Sequence, residues 1–340
     1  MKILFVGKFI KAHSTHHYIV QEFKKKGHQV DCFDYRRVAY LNMRTKHPTY
    51  SIKLRIKFEM NIKRRIYLPK LIRRMRYYFF GNWKMNRQLL YLIKYNQYDL
   101  IILAKADCIN YKNIKKFDKY SKTFYYFMDP LKIAHEMNAV NYASLTTWSS
   151  ASTMAMKTLF KRAGANSYHV LEVYDENTYY PGEENKHKEI DVIFVGRGLP
   201  NRKMYIDFLR KNNIDVICHG PKWENKSIYF DELISKYRKS KVILNFPQVD
   251  SGFSDRVFHV LGTGSFLLSE YCSDLKRIFK RGIHLDWFKT PEECLEFIKY
   301  YLENDTIREK IAQEGHKYVS ENFTWKHSVE KILEIVSESI

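Results

Sequence analysis

The sequence predicts an α/β fold made of two Rossmann-like domains. The chain has 340 residues, more than one hydrophobic core usually organises, so two domains are expected. In both halves, short apolar runs alternate with segments of helix length, which is the pattern of parallel sheets covered by helices. Residues 173–189 break this alternation and contain Tyr180-Pro181-Gly182 followed by polar residues, which indicates a linker. We therefore place one domain at residues 1–182, a second at residues 188–322, and a final segment at residues 323–340.

Net charge, apolar content and cysteine spacing indicate which partners and which location to expect. The formal net charge is +21, which predicts a polyanionic partner, either nucleic acid or an acidic membrane surface. No apolar run reaches the roughly eighteen residues of a membrane span, and the first nine residues predict a strand rather than a signal peptide. The five cysteines are scattered, which predicts neither a disulfide framework nor a zinc site and favours a cytoplasmic location; they are Cys32, Cys108, Cys218, Cys272 and Cys294.

The chain opens with a predicted strand at residues 2–6, a helix at 15–26 and a second strand at 29–34. A single glycine, Gly7, follows the first strand. The dinucleotide-binding fingerprint requires several glycines at this turn, so we expect no nicotinamide cofactor, and no other cofactor motif is present.

Two histidines, His13 and His16, follow the first predicted strand. Carboxyl ends of parallel strands face the ligand crevice in open α/β sheets, so these side chains are candidates to bind an acceptor or take up its proton. Solvated loop histidines are the alternative. No cysteine or further histidine stands at a ligand spacing that would favour a metal site.

Residues 36–94 form a strongly basic insertion. They contain seventeen Lys or Arg and one acidic residue, Glu59, and so contribute +16 of the net charge. Aromatic residues are interleaved with these cations. Pro69 can begin an amphipathic helix whose apolar positions are Leu71, Ile72, Met75 and Phe79. Such a segment suits an anionic lipid surface or, through stacking, a nucleic acid; a merely solvated basic face is the remaining interpretation.

Further strands are predicted at residues 98–104, 122–128 and 168–173, separated by helix-length segments that include 149–163. Asp129 follows the second of these strands and precedes a proline. Its carboxylate could therefore orient an acceptor hydroxyl at the crevice, or it could serve only to form the turn.

The second half carries two stretches that predict an anion site. A strand at residues 190–195 ends in Gly196-Arg197-Gly198, and Arg202 and Lys203 follow at the start of a helix. Later, Ser254 or Asp255 can cap a short helix that carries Arg256 in its first turn. A helix amino terminus and clustered arginines suit phosphate; surface placement of these cations is the alternative.

Several residues in this half resemble the nucleotide-sugar half of GT-B glycosyltransferases, closest to the CgeB-like branch of the glycosyltransferase group 1 superfamily. The resemblance extends over residues 188–338 and is carried by Val195-Gly196 with Asn201-Arg202, His219-Gly220 with Trp223, and Ser254, Arg256 and Phe258 followed by Gly264 and Phe266-Leu267-Leu268. It implies the GT-B fold, in which two Rossmann-like domains face each other across a cleft. It also implies a nucleotide sugar in the second domain and a final helix that packs back on the first.

The resemblance assigns the site residue by residue. The residues expected at the diphosphate and nucleotide are Gly196, Arg197, Arg202, Lys203, His219, Gly220, Ser254, Arg256 and His259. Residues 219–223 would line the base pocket, although Trp223 could equally be packed core. His259 departs from the family, which usually carries a glutamate there for the ribose hydroxyls. The catalytic candidates are Arg256, Arg197, His13, His16 and Asp129. No two aspartates stand two residues apart, which favours metal-independent transfer.

The sequence thus predicts a glycosyltransferase, with retention of configuration implied by the superfamily. Its expected acceptor lies on an anionic surface, as an envelope glycan or lipid-linked saccharide at the inner face of the membrane. One alternative is a DNA-modifying glycosyltransferase that acts on hydroxylated bases of phage DNA. The other is an inactive, basic nucleic-acid-binding protein on the same fold.

Overall fold

A computed structural model describes residues 1–9, 15–44, 75, 77–129, 131–247 and 252–338. His13, Asp250, Ser251 and most of the basic insertion, including nearly all of the helix predicted from Pro69, lie outside these residues. The chain divides into two compact units. The first comprises Met1–Ala151 and Lys157–Tyr168, and the second comprises Ser152–Met156 and His169–Ile340.

The first unit is built on a six-stranded sheet of order β2-β1-β3-β4-β5-β6. Strand β1 lies next to the edge strand β2 and is parallel to both neighbours, with Ile3 opposite Val30 on one side and Leu100 on the other. Four consecutive residues of β1 are fully buried, as expected for a strand covered on both faces. The strands are β1 Lys2–Gly7, β2 Gln29–Asp34, β3 Leu100–Ala104, β4 Lys122–Phe127, β5 Trp148–Ala151 and β6 Ser167–His169.

Helices connect these strands. They are α1 Thr15–Lys25, α2 Tyr35–Arg44, α3 Trp83–Asn96, α4 Tyr111–Phe117, α5 Leu131–Glu136, α6 Ala139–Ser144 and α7 Met154–Arg162, with a π-helical turn at Tyr77–Asn82 before α3. Residues 149–163 were expected to be helical from their sequence, but Trp148–Ala151 is a strand. Its pairing with β4, in the register Phe124 to Trp148, buries all four residues and overrides their weak strand propensity.

The second unit contains a five-stranded parallel sheet of order β11-β10-β9-β7-β8. Its strands are β7 Ile190–Val195, β8 Val216–His219, β9 Ser240–Asn245, β10 Leu267–Glu270 and β11 Asp286–Phe288. Its helices are α8 Pro200–Lys211, α9 Phe230–Arg238, α10 Arg256–Gly262, α11 Ser273–Ile278, α12 Pro291–Glu303, α13 Asp305–Asn322 and α14 Trp325–Ser337, and a 3-10 turn spans Glu183–Lys186. Helical periodicity in the sequence predicts helices at residues 291–303, 305–321 and 324–338, and α12, α13 and α14 lie there.

Strand order locates the ligand crevice of the second unit. From β7 the chain runs to β8 on one side of the sheet and then returns to place β9 on the other side. Open α/β sheets bind ligands outside the carboxyl ends of the strands at such a reversal. The loops that follow β7 and β9 therefore form the candidate site, and helix α10 lies between β9 and β10 in the chain.

The final helix, α14, docks within the second unit. The Ser328 hydroxyl donates a hydrogen bond to the Leu171 carbonyl at 3.0 Å, and the Trp325 amide donates to the Tyr174 carbonyl at 3.3 Å. Residues 169–182, placed in the first domain from the sequence, group with the second unit through these contacts. Packing of residues 323–340 on the rest of the first domain stays a prediction.

Helix α13 supports α10 through a glycine. A β-carbon on Gly315 would collide with the His284 carbonyl and approach the Leu261 side chain of α10 to 3.0 Å. We predict that Gly315→Ala destabilises the protein, because overpacking of this kind costs about 1–3 kcal/mol, while the gain in helix propensity is only about 1 kcal/mol. Denaturant unfolding measures the difference. The neighbouring exposed change Glu314→Ala is the control, and a Gly315→Ala protein as stable as wild type would contradict the close contact.

Candidate functional site

Two loops of the second unit approach each other at glycines. The Gly196 amide, just after β7, donates to the His219 carbonyl at 2.9 Å, and the Gly198 amide donates to the Pro221 carbonyl at 2.9 Å. A β-carbon on Gly220 would collide with the Gly196 carbonyl, and Gly220 has a φ of 132°, which favours glycine. Gly196 and Gly220 are therefore required by close backbone packing between the two loops.

Arg202 is buried under this loop and forms hydrogen bonds to it. Its side chain is only 1% exposed, and its terminal nitrogens donate to the Arg197 carbonyl at 3.1 Å and the Phe246 carbonyl at 2.8 Å. Its Nε atom is buried without a hydrogen-bond partner. Surface placement, one of the two predicted alternatives, is wrong for Arg202. The guanidinium joins the loops after β7 and β9 and brings a positive charge beneath them.

Arg256, the first residue of α10, reaches the same point. Its Nη1 donates to the Asn245 side-chain oxygen at 3.0 Å, and the Asn245 amide donates to the Ser269 hydroxyl at 2.9 Å. A β-carbon on Gly196 would lie 3.1 Å from Nη2 of Arg256 and 3.4 Å from Nη1 of Arg202. Both guanidinium groups also lie within 6 Å of the Phe194 ring, at 5.5 and 5.8 Å. The two arginines therefore converge on one glycine.

The electrostatics of this arrangement favour an anion. In the described part of the chain, no carboxylate forms an ion pair with Arg202 or Arg256. Burial lowers the pKa of Arg202 to about 10, and the neighbouring charge of Arg256 adds to the effect. Two adjacent cations destabilise each other, and an anion that binds Arg256 close to the buried Arg202 relieves the repulsion. A guanidinium can bind two phosphate oxygens at once, so a phosphate group suits this pair.

The predicted contribution of the α10 amino terminus is smaller than expected. The helix has seven residues, and Asp255, at the capping position, makes no side-chain capping hydrogen bond. Its backbone is already helical there, so its carboxylate does not turn back toward the first-turn amides. Ser254 accepts a hydrogen bond from the Val257 amide through its carbonyl. The arginine pair, rather than the helix terminus, thus supplies most of the positive potential.

The remaining cations differ in placement. Arg197 is exposed at the edge of the loop. Lys203 is exposed too, and its ammonium lies 5.5 Å from the centre of the Trp223 ring. Such a contact is a cation–π interaction. Trp223 also packs edge-on against Phe194, with ring centres 6.0 Å apart. These contacts favour the packed-core interpretation of Trp223, whose indole nitrogen is buried without a partner.

His219 and His259 both contact neighbouring residues of the second unit. Nδ1 of His219 lies 3.2 Å from the Lys226 carbonyl. The His259 ring stacks on Tyr179 with centres 4.0 Å apart and planes inclined by 5°, and its Nε2 lies 3.9 Å from a carboxylate oxygen of Asp255. Burial lowers the pKa of His259, and Arg256 lowers it further, while Asp255 opposes them. His259 is therefore an uncharged ring beside the arginine pair at neutral pH.

Three residues of this site stand in no recognisable sequence motif. Asn245 ends β9 and orients Arg256, Phe194 lies beneath both arginines, and Glu270 ends β10. Burial raises the pKa of the Glu270 carboxyl group. Position at a strand end, the signal that identified Asp129, could have found Asn245 and Glu270. Phe194 could not be distinguished from any other core residue.

Polar side chains also gather at the carboxyl edge of the sheet in the first unit. Lys105 forms an ion pair with Asp129 at 2.9 Å, and its carbonyl accepts a hydrogen bond from the Tyr125 hydroxyl at 3.1 Å. Nearby, Asp107 accepts a hydrogen bond from the Tyr35 hydroxyl at 2.7 Å and pairs with Arg36. Asp129 thus has a charged partner in addition to its predicted place in a turn. Lys105 and Asp107 were missed because neither stands in a recognisable motif.

His16 lies in the first turn of α1 and is buried. Its Nδ1 atom lies 2.8 Å from the Lys8 amide and 3.0 Å from the Lys8 carbonyl, and a β-carbon on Gly7 would lie 2.7 Å from it. Burial lowers the pKa of His16 to about 4, with a further contribution from the charge of Lys105. His16 is accordingly a neutral packing residue that shapes the loop after β1, and not a solvated loop histidine.

Comparison with known proteins agrees with this architecture. Residues 202–334 match a family model described as glycosyl transferase-like. The structure of HepE from Anabaena in complex with UDP-glucose superposes with a TM-score of 0.67 at 13% identity, covering 99% of this chain and 100% of that one. Sucrose-phosphate synthase from Thermosynechococcus elongatus superposes with a TM-score of 0.65 at 9% identity, and the match covers 99% of both chains. A glycosyltransferase from Rickettsia africae superposes with a TM-score of 0.64 at 12% identity, and the match covers 99% of this chain and 98% of that one.

The fold is therefore that of the GT-B glycosyltransferases, as the sequence predicted. The matched region lies within the second unit and includes Arg202, Arg256 and His259. A comparison with curated proteins found no match. Together the matches support a GT-B glycosyltransferase, without distinguishing the CgeB-like branch.

The neutral state of His16 predicts a pH dependence of stability. In the unfolded chain its pKa is 6.5, and in the folded protein about 4, so the unfolded state binds more protons between these values. The free energy of unfolding should therefore be highest above pH 6.5 and should fall by about 3 kcal/mol as the pH is lowered to about 4. Urea unfolding across this range, in wild type and His16→Gln, measures it. Equal slopes in the two proteins would contradict the buried, neutral imidazole.

Proposed function

We propose that the protein is a glycosyltransferase that binds the diphosphate of a nucleotide sugar at Arg256, while the buried charge of Arg202 adds to the positive potential there. The observation that carries this proposal is the convergence of the two guanidinium groups on Gly196 without a carboxylate partner among the described residues. HepE, whose solved structures contain UDP and UDP-glucose, shares the fold. A uridine nucleotide sugar is accordingly the donor to test first.

The proposed reaction breaks the bond between the anomeric carbon and the phosphate oxygen and forms a bond from that carbon to an acceptor oxygen. The acceptor proton passes to the departing diphosphate, which acts as the base. Negative charge develops on the diphosphate as the bond breaks, and preorganised cations stabilise it without reorganisation. Asn245 holds one nitrogen of Arg256, and the other faces Gly196, where the phosphate would lie. Retention of configuration is part of the proposal through the family resemblance.

The acceptor is proposed to belong to an anionic surface, as an envelope glycan or lipid-linked saccharide. The support is the +16 charge of residues 36–94, which a small neutral acceptor would not require. Asp129, held by Lys105 at the carboxyl edge of the first sheet, is the proposed contact for the acceptor hydroxyl. A hydroxylated base of DNA is the second candidate acceptor, since a phosphate backbone would exploit the same charge.

Arg256→Ala tests the donor site. One charge-assisted hydrogen bond is worth about 1.5–3 kcal/mol, so affinity for the nucleotide and the rate of sugar transfer should fall at least tenfold. Calorimetric titration with UDP and a panel of nucleotide sugars measures binding. The control, Lys211→Ala, removes an exposed cation at the far end of α8. Unchanged binding in a folded Arg256→Ala protein would contradict the proposed site.

Donor binding is predicted to need no divalent metal, because the arginine pair supplies the charge that neutralises the diphosphate. Titration of a nucleotide sugar in the presence of a chelator should give the same affinity as titration with added magnesium or manganese. A Kd that weakens strongly on chelation and recovers with the metal would show that a cation takes part, and the metal-independent mechanism would then be wrong.

A further inference from the structure

Helix α3 of the first unit presents an unusual outward face. Its inward side is buried through residues that include Met85, Leu89 and Ile93. The outward aromatic side chains are more than half exposed: Trp83 at 58%, Tyr91 at 65% and Tyr95 at 58%. Exposed cations lie among them at Lys84, Arg87 and Lys94. An amphipathic helix of a globular protein normally carries mixed charges on this side, so three large aromatic residues with cations alone indicate an interaction surface.

A second helix extends this surface. Asn86 of α3 accepts a hydrogen bond from the Asn110 amide at 2.7 Å and donates to the Cys108 carbonyl at 3.0 Å, which ties the start of α4 to α3. Helix α4 exposes Tyr111, at 50%, with three lysines, Lys112, Lys115 and Lys116. The two helices together contain six cations and no acidic residue. We call their exposed aromatic and basic side chains the α3–α4 surface.

We propose that the α3–α4 surface docks on an anionic lipid bilayer. Trp and Tyr are the residues that lie at the headgroup level of membranes, because each ring has an apolar body and a polar tip. Lysine and arginine add attraction to anionic headgroups. Among the described residues, no helix is long and apolar enough to cross a membrane, so the contact proposed here is peripheral.

The arrangement of the rings favours a bilayer over a nucleic acid. Bases stack on open aromatic faces. Here the Arg87 guanidinium lies over the Trp83 ring at 4.8 Å, and the Lys94 ammonium lies over the Tyr95 ring at 5.1 Å. Tyr91 and Tyr95 are in contact with each other, with centres 4.4 Å apart. Neighbouring side chains thus cover faces that bases would need, whereas ring edges and cations are what a headgroup layer contacts.

The α3–α4 surface begins toward the edge of the sheet that carries the proposed acceptor contact. The Asn96 carbonyl at the end of α3 accepts a hydrogen bond from the Lys2 ammonium, at the amino edge of the sheet. The fourteen residues of α3 extend about 20 Å, so Trp83 lies toward the opposite, carboxyl edge. Asp129 and Lys105 lie at that edge. The inference rests on the proposed function in this one respect, that a docked bilayer would bring a lipid-linked acceptor to this edge.

The test is flotation of the full-length protein with lipid vesicles. Vesicles of phosphatidylcholine alone are compared with vesicles that also contain phosphatidylglycerol, at low and moderate salt. Wild type should bind the anionic vesicles, less so as salt rises. The triple change Trp83→Ser, Tyr91→Ser and Tyr95→Ser should reduce binding about tenfold or more, because the interfacial aromatic residues are lost while every cation remains. A matched triple change in the second unit, Ile283→Ser, Tyr300→Ser and Ile307→Ser, removes similarly exposed apolar side chains and should have no effect.

Two outcomes would overturn the inference. One is equal vesicle binding by the two triple variants, which would assign the contact to other cations of the chain. The other is wild type that binds duplex DNA but not anionic vesicles, which would make a nucleic acid the partner. Nucleotide affinity is measured on the same proteins. If the aromatic triple variant loses vesicle binding and keeps UDP binding, the α3–α4 surface acts in docking without affecting the nucleotide site. If wild type binds vesicles but binds no nucleotide, the proposed function is contradicted and the docking inference is not.

Discussion

The buried guanidinium of Arg202 is the interaction on which the candidate site of the second unit depends. It donates to carbonyls of the loops after β7 and β9, two strands between which the chain reverses direction across the sheet. Without Arg202, the Phe246 carbonyl would lose this buried hydrogen bond, at a cost of about 1–3 kcal/mol, and the Arg197 carbonyl would keep only the bond from the Leu199 amide at 3.0 Å. The same guanidinium brings a charge that no carboxylate in the described residues neutralises by direct contact. One side chain thus both builds the crevice and gives it a positive potential.

The second arginine depends on that arrangement. Arg256 lies next to Arg202 although like charges repel, and a relay through Asn245 and Ser269 holds it there. Repulsion between the two arginines lowers the stability of the folded protein. Because folding already holds the two charges together, an anion that binds beside them needs no further rearrangement. Phe194 beneath them excludes water from one side and offers a ring face to both cations. The uncharged His259 adds no charge of its own at neutral pH.

The first unit has a different character. Its sheet edge carries paired charges, Lys105 with Asp129 and Arg36 with Asp107, that largely neutralise each other. The outer helices α3 and α4 carry cations that form no ion pair with an acidic residue within the described part of the chain. Local neutrality at the edge suits recognition of hydroxyl groups by directed hydrogen bonds. Unbalanced charge on the helices instead suits the proposed contact with an extended anionic surface, whose attraction would act over a distance set by the ionic strength.

Much of the fold could be predicted from the sequence. Alternation of apolar runs and helical segments predicted two helix-covered parallel sheets and located β1, β2, β7 and the three C-terminal helices, because hydrophobic periodicity is a local property. The identity of β5 could not be predicted, since Trp148–Ala151 becomes a strand only by pairing with β4. The candidate arginines were identified from their glycine-rich surroundings and the family resemblance. Only the tertiary structure decided that Arg202 is buried, that Asn245 and Phe194 position the pair, and that His16 is a neutral packing residue. Those properties arise from contacts between residues far apart in the chain, which no local pattern records.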